Sequence, residues 1–291
     1  MRTRVLLAAA LVACVAPRPR PPRGEQVLVV EGRVKNAPFR YGADDLSSLP
    51  RRAFEAAPPF TTSAVRFEGI AIAALLSDAM ALRSDADLVV FRGAQGYAAP
   101  VPLTLVRYLR PVLADRAGGE PVASWLPSAR PLQLAWPDRA YPGIDSDPRL
   151  RWWWVGGVTR VELQNWATTY GRALRVPAGA TDPARLGAQA IATGCIVCHS
   201  VRGVGGTRGP PLVAALARDR SAFARKLRDH ARDVSGIASA PELPAGRAGG
   251  IADFLHAVEV AGTPPAPDDE LLPIPGEPPT IALPPLGVTR R

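Results

Sequence analysis

The sequence contains few of the side chains that bind soft metals. Among its 291 residues are 3 Cys, 3 His and 2 Met, and one Met is the initiator. A structural zinc site usually takes four Cys or His ligands, with a second pair at short spacing. His230 and His256, the histidines outside the cysteine cluster described below, do not form such a pair. Zinc binding is therefore a less favoured interpretation of the cysteines.

The sequence also lacks a basic stripe interleaved with aromatic residues, which argues against nucleic-acid binding. The formal net charge is +9, but five arginines lie within the first 24 residues, a stretch without Asp or Glu. The basic character is thus largely a property of the N-terminus. With 47% hydrophobic and 21% charged residues, the composition is otherwise ordinary for a folded protein.

The N-terminal apolar run, Val5–Ala13, is short. It has about nine residues, whereas a membrane span needs roughly 20. Because Arg2 and Arg4 precede it, the segment is typical of an export signal. Its end, Leu-Val-Ala-Cys14, resembles the bacterial lipobox, which implies lipidation of Cys14 and a protein anchored at the periplasmic side of a bacterial membrane. The alternative is an ordinary signal cleaved nearby, after Ala16.

Two cysteines and one histidine are concentrated in five residues, Cys195-Ile-Val-Cys198-His199. Zinc binding, a dithiol redox pair and covalent haem attachment all use such clusters. A thioredoxin-like dithiol begins a helix after a buried strand, whereas the residues before Cys195 predict a helix with Thr181 as its N-cap and Pro183 in its first turn. Haem attachment accounts for all three side chains, because two thiols can add to the two haem vinyl groups and His199 can ligate the iron. We therefore expect one covalent haem c.

The segment after this motif, Gly209-Pro-Pro-Leu212, resembles the Gly-Pro-x-Leu segment of class I c-type cytochromes. In that family the proline carbonyl accepts a hydrogen bond from the proximal histidine, which implies this role for Pro210. The resemblance extends to Gly187, where the family's first and last helices cross. It also includes a last helix with apolar residues at helical spacing, Ile251, Phe254, Leu255 and Val258. The family implies an all-α cytochrome c domain.

The chain departs from that family at the sixth iron ligand, which is usually a Met shortly before the last helix. Here Ile237 stands near that position, and Met80 lies about a hundred residues upstream of the motif. His230 follows Phe223 and Leu227 on one helical face, so it is the candidate distal ligand. The alternatives are a helix-capping role for His230, ligation by His256, or a water or vacant sixth position.

Residues 25–176 differ from the C-terminal segment in predicted secondary structure, with several strands and few helices. The pattern predicts an α+β domain with a mixed or antiparallel sheet. The predicted strands are Val27–Val30, a strand running into a helix over Arg66–Leu76, a hairpin of Asp87–Phe91 and Tyr97–Val101, Leu132–Trp136, and Val158–Leu163. In the run Trp152-Trp-Trp154, strand alternation would place Trp153 opposite its neighbours, and we interpret the three as packing residues.

The order of these segments resembles the molybdopterin-binding domain of the sulfite oxidase family. The matching segments are Phe67-Glu-Gly-Ile70, Gly96-Tyr97, Val101-Pro-Leu103, Pro131-Leu-Gln-Leu134 and Trp152-Trp-Trp-Val155. Members that oxidise sulfite hold molybdenum through a Cys thiolate of this domain. Because there is no Cys between Gly24 and Gly194, we expect neither a molybdenum site nor a molybdopterin cofactor.

These features predict a multidomain chain. Its parts are a signal peptide (1–13), a Pro/Arg tether (14–24), a sulfite-oxidase-like domain (25–176), a linker (177–182), a cytochrome c domain (183–262) and a Pro-rich disordered tail (263–291). The predicted function is one-electron transfer between periplasmic redox proteins, with the first domain used for docking. The alternatives are a pterin- or molybdenum-dependent oxidoreductase that feeds electrons to the haem, and a haem-based gas-binding module. Whether the protein is an enzyme is left open.

Overall fold

The computed structural model describes residues 21–59, 61, 63–78, 82–141, 152–235, 246–261 and 269–274. The predicted signal peptide and Cys14 lie outside these residues, as do Met80, Ile237 and most of the predicted tail. Among the described helices, none combines the length and the apolar character that a membrane span requires.

The N-terminal part is built from ten described strands. They are β1 (Gln26–Gly32), β2 (Phe39–Gly42), β3 (Arg51–Ala56), β4 (Val65–Ala71), β5 (Leu88–Gly93), β6 (Ala98–Pro102), β7 (Val112–Ala117), β8 (Glu120–Pro121), β9 (Gln133–Ala135) and β10 (Val158–Gln164). Its described helices are short: α1 (Ala43–Ser47), α2 (Ile72–Asp78), α3 (Leu103–Leu109), α4 (Val122–Trp125), α5 (Tyr170–Ala173), and 3₁₀ turns at Pro127–Ala129 and Asp138–Ala140.

These strands form two sheets. The first has the order β2-β1-β10-β5-β6, in which β1 and β10 are parallel and the other neighbours antiparallel. The second is antiparallel, with the order β3-β4-β7-β8 and β9 also paired to β7. The predicted α+β class with antiparallel pairing is confirmed at this level, and the predicted strands correspond to β1, β4, β5, β6, β9 and β10.

The described residues of the C-terminal part include the helices α6 (Asp182–Thr193), α7 (Arg220–Ser235) and α8 (Arg247–Ala261). They also include a small hairpin, β11 (Ser200–Val201) with β12 (Val204–Gly205), and 3₁₀ turns at Cys195–Val197 and Ala214–Ala217. This part is therefore mainly helical rather than entirely so. The cytochrome c fold itself stays a prediction.

Helices α6 and α8 are packed backbone to backbone. A Cβ atom on Gly187 would lie 2.0 Å from the carbonyl oxygen of Gly250, and one on Gly250 would lie 2.4 Å from that of Pro183. Since no side chain fits such a gap, glycine at both positions is a steric requirement of the crossing. Ile251, Phe254 and Leu255 of α8 are buried, as the helical spacing predicts.

The two predicted domains share a hydrophobic core, which corrects their expected separation. In β5, Val89 and Phe91 face the core of the first sheet, whereas Leu88 and Val90 point to the other side. That other side packs in one cluster with Ala188 and Ile191 of α6 and with Ile251 and Phe254 of α8. The physical reason is that successive side chains of a strand point to opposite faces of the sheet. The apolar run Leu88–Phe91 therefore has both faces buried only because the helices cover the face opposite the sheet core.

The predicted disordered tail also needs correction, because residues 269–274 are packed against the rest of the chain. Glu270 forms a β-bridge with Val176, and the Trp166 indole donates a 2.8 Å hydrogen bond to the carbonyl oxygen of Leu272. Leu272 is buried, and Arg185 of α6 forms a 2.6 Å ion pair with Glu270. This short segment, the C-terminal strap, therefore links the end of the predicted N-terminal domain to α6. Docking of this Pro-rich segment is favoured because burial of the Leu272 side chain removes apolar surface from water.

The predicted tether ends earlier than expected, because Arg23 is bound to α1. Its backbone N–H and its guanidinium Nε donate to the two oxygens of the Asp45 carboxylate at 2.8 and 2.7 Å. Burial raises the pKa of Asp45, but these bonds and a 3.0 Å bond from the Gly42 N–H outweigh it and lower the pKa to about 2. The chain is thus attached to the first sheet from Arg23 onward.

Candidate functional site

The Cys195–His199 motif follows directly from α6. Thr181 caps this helix through a 3.4 Å bond from the Ala184 N–H, and Pro183 lies in its first turn, as predicted. The helix ends at Gly194, and Cys195–Val197 forms a 3₁₀ turn. The backbone N–H of His199 donates to the carbonyl oxygen of Cys195 at 2.9 Å. The two cysteines and the histidine are therefore brought together by one compact turn.

The imidazole of His199 is held by the segment that follows the hairpin. Its Nδ1 lies 2.7 Å from the carbonyl oxygen of Pro210, the contact that the cytochrome resemblance implies. The Gly209 N–H donates to the carbonyl oxygen of Cys198 at 2.8 Å. A Cβ atom on Gly209 would lie 2.2 Å from Cε1 of His199, so only glycine leaves room for the ring in this position. With Nδ1 engaged, Nε2 is the nitrogen left for a metal.

His230 comes to the same place from α7. The centroids of the His199 and His230 rings are 5.7 Å apart, with an interplanar angle of 67°. Phe223, seven residues earlier on the helix, is buried, and Leu227 packs against the shared core, whereas His230 is exposed. The helical spacing thus places His230 at the edge of the buried face and next to His199.

His256 has a different environment. It is partly buried in α8, and its Nε2 lies 3.2 Å from the carbonyl oxygen of Ala217. The 3₁₀ turn at Ala214–Ala217 covers this part of the helix. This hydrogen bond makes His256 a structural contact between the turn and α8.

The two cysteines are free thiols in the structure. As residues they are partly exposed, but desolvation of their sulfur atoms within the fold raises the pKa of each thiol to about 11. A reactive dithiol redox centre has a lowered thiol pKa. The surroundings of Cys195 and Cys198 therefore favour neutral thiols. Within the described ranges, no group of three or more His, Cys, Asp or Glu side chains is arranged to hold a metal ion.

The N-terminal part forms a wall of this site. Cys198, Tyr97 and Trp152 all pack against the core of the first sheet, and Val197 is buried in that core. Arg208 lies over the Tyr97 ring, with its guanidinium carbon 4.9 Å from the ring centroid. Burial and, to a lesser degree, the nearby Cys198 raise the pKa of the Tyr97 phenol, while Arg208 opposes them. The motif is thus enclosed by residues from both halves of the sequence.

Sequence reasoning did not identify the contact between the β5–β6 turn and the segment after the motif. Thr207 donates its N–H to the carbonyl oxygen of Gly96 at 2.7 Å, and Arg208 Nη1 donates to Oε1 of Gln95 at 2.6 Å. The signal available in the sequence was Gly96 itself, which sits in a turn and has a φ of +84°. A turn glycine indicates backbone conformation but does not reveal what packs against it.

The predicted strand alternation is wrong for the tryptophan run, because Trp152–Trp154 do not lie in a strand and all three pack on the core of the first sheet. Trp153 is buried, and Trp152 and Trp154 are partly buried. Trp153 packs beside Trp136 with ring centroids 6.1 Å apart, and Trp154 contacts Phe67 at 5.5 Å. These contacts place Trp153 and Trp154 in hydrophobic packing.

Comparison with known proteins adds little to this description. No protein-family model matches the chain, and no curated protein matches it. Among solved structures, the chain is similar to the sulfane dehydrogenase SoxCD from Paracoccus pantotrophus, with 19% identity and a TM-score of 0.36. The match covers 47% of this chain and 38% of that one, so it spans well under half of the neighbour. A match of this kind carries no argument about function.

Proposed function

We propose that the protein is a monohaem c-type cytochrome that transfers single electrons. Cys195 and Cys198 would hold the haem as thioethers, and His199 would ligate its iron through Nε2. The observation that carries the proposal is the 2.7 Å contact between His199 Nδ1 and the Pro210 carbonyl oxygen. The thiols of Cys195 and Cys198 lie in the turn that leads into His199, and burial raises the pKa of each, which favours the neutral form. Such a contact fixes the tautomer and the orientation of a ligating imidazole.

We propose that His230 would hold the iron together with His199. The ring centroids of the two imidazoles lie 5.7 Å apart, and this proximity supports the assignment. When bound, haem would supply an iron that cycles between the ferric and ferrous states. With a second imidazole instead of a Met thioether, the reduction potential should be lower than in His/Met cytochromes.

The N-terminal part is proposed to serve as a scaffold and docking body. Sulfite-oxidising members of the sulfite oxidase family hold molybdenum through a Cys thiolate, and this chain has no Cys between Gly24 and Gly194. We therefore propose that this part holds neither molybdenum nor a pterin. Export and a lipid anchor at Cys14 belong to the same proposal, and they imply redox partners on the periplasmic side of a membrane.

A gas-binding module is the second candidate function. The observation that favours it is the exposure of His230, because an exposed axial ligand can be displaced by a small molecule more readily than a buried one. In that case the reduced protein would bind CO without any substitution. Electron transfer through a stable bis-histidine iron predicts instead that wild-type protein excludes CO.

The first experiment is expression in a host that matures c-type cytochromes, followed by denaturation and acid–acetone extraction. We expect one haem per chain to remain attached, no stoichiometric molybdenum, and loss of covalent haem in the Cys195→Ala/Cys198→Ala double variant. Each single variant should retain at most one thioether. Cys14→Ala is the matched control, because it removes the third cysteine and should change membrane association alone. Complete extraction of haem from the wild type would refute the proposal, and stoichiometric molybdenum would refute its second part.

A further inference from the structure

The segment Thr207–Pro210 lies between the N-terminal sheet and His199, and its contacts go to both sides. The first two residues bind the β5–β6 turn: the Thr207 N–H bonds to Gly96, and Arg208 bonds to Gln95 and lies over Tyr97. The last two residues bind the motif: Gly209 donates to Cys198, and Pro210 accepts from His199. The carbonyl that orients the imidazole therefore belongs to a segment that the other half of the molecule holds.

The approach at Gly96 is close enough to define the position of this segment. A Cβ atom on Gly96 would lie 2.8 Å from the backbone nitrogen of Arg208 and 2.8 Å from Oγ1 of Thr207. Backbone atoms at such a distance cannot give way as the end of a long side chain can. Any residue larger than glycine must displace either the turn or the segment.

We propose that the β5–β6 turn, Gln95–Tyr97, is a positioning element for His199 that acts through Thr207–Pro210. This inference rests on the proposed haem function and adds to it a role for the N-terminal part in setting the reduction potential. A firm Pro210–His199 bond makes the imidazole more electron-donating and stabilises ferric iron. If the turn is displaced, the bond weakens and the midpoint potential rises.

The test compares Gly96→Ala with Gly119→Ala. Gly119 also has a left-handed backbone, with φ +89° against +84°, but nothing lies within 4 Å of a Cβ placed on it. Both variants carry the same kind of backbone strain, and only Gly96→Ala pushes on the segment. We expect a raised midpoint potential and an altered ferric EPR spectrum in Gly96→Ala, and wild-type values in Gly119→Ala.

Arg208→Ala is the second variant, in case Gly96→Ala does not fold. Its matched control is Arg40→Ala, because Arg40 also donates to a glutamine, Gln26, at 3.1 Å on the exposed surface of β2, at the opposite edge of the first sheet. Arg208→Ala should shift the potential in the same direction as Gly96→Ala but by less. Arg40→Ala should leave it unchanged.

Amide hydrogen exchange provides a readout that does not depend on haem. The Thr207 and Gly209 amides should exchange about tenfold faster or more in Gly96→Ala, and not in Gly119→Ala. Wild-type potential and wild-type exchange in both Gly96→Ala and Arg208→Ala would overturn the inference. If the purified wild type carries no covalent haem, the proposed function fails, and the exchange comparison alone then decides whether the turn holds the segment.

Discussion

The two histidines of the site lie side by side but are held in different ways. His199 is bound at its backbone by Cys195 and at its ring by Pro210, so its position is determined by hydrogen bonds within a short stretch of sequence. His230 is exposed on α7, and the nearest described anchors on its helix are the apolar side chains of Phe223 and Leu227. Directional bonds position the His199 ring, and His230 lies on a helix that packs through Phe223 and Leu227.

This difference has a consequence for function. A hydrogen-bonded ring keeps its orientation as long as the local turn persists, whereas a ring at the end of a packed face moves when the helix moves. Changes that loosen α7 should therefore affect the proposed ligation by His230 and leave the His199 side intact. Changes at the α6–α8 crossing should act on the helix that leads into Cys195.

The largest effect is expected from Phe223→Ala. Removal of a buried ring should lower the free energy of unfolding by about 3 kcal/mol, because it leaves a cavity under α7. The ferric haem should become partly high-spin as His230 loses its support, while the haem stays covalently attached. Urea denaturation and the optical spectrum measure the two parts. Phe223→Leu, which keeps most of the apolar volume, should cost about 1 kcal/mol and keep the low-spin spectrum. A low-spin Phe223→Ala protein would contradict the proposed difference between the two sides.

A smaller effect is expected from Gly187→Ala at the α6–α8 crossing. The added methyl group would meet the Gly250 backbone and separate the helices, which should cost about 1–3 kcal/mol. Gly249→Ala is the control, since Gly249 is the neighbour of Gly250 in α8 and a Cβ placed there has no neighbour within 4 Å. That variant should gain about 0.5–1 kcal/mol, because alanine favours helix more than glycine does. Equal stability of the two variants in thermal or urea unfolding would mean that the crossing is not close-packed.

The smallest effect on stability is expected from His230→Ala. The ring is exposed, so the free energy of unfolding should change by less than about 0.5 kcal/mol. The ferric haem should nevertheless become high-spin, and the ferrous protein should bind CO. His256→Ala is the control: it should cost about 1 kcal/mol through loss of the bond to Ala217 but leave the spectrum unchanged. If the spectrum changes with His256 and not with His230, the assignment of the distal ligand is wrong.

Local patterns predicted much of the N-terminal part. The strands β1, β5, β6, β9 and β10 coincide with runs of apolar or alternating residues, and the fold class follows from them. Strand β3 was not predicted, because half of the residues in Arg51–Ala56 are charged and half are exposed. Its conformation depends on pairing with β4, a contact between distant residues that no local periodicity encodes.

The packing of the C-terminal strap likewise depends on contacts with distant residues and could not be predicted from local sequence. The composition of residues 263–291 predicted disorder, yet Leu272 is buried and its own carbonyl oxygen accepts a hydrogen bond from the Trp166 indole. The few apolar residues of the strap, Leu271, Leu272 and Ile274, form no periodic pattern from which the docking could be inferred. The site into which Leu272 packs is formed by residues about a hundred positions away.

The sequence by itself indicated the candidate site residues and determined the helix cap at Thr181, because these depend on neighbours within a few turns of chain. The glycine at the helix crossing, Gly187, was expected only from the resemblance to c-type cytochromes, since its contact is with the distant Gly250. Only the tertiary structure decided that His230 meets His199, that the two predicted domains share a core, and that Gln95–Tyr97 holds the segment bearing Pro210. Those contacts join residues far apart in sequence, and their free energy comes from packing and desolvation, which exist only once the chain has folded.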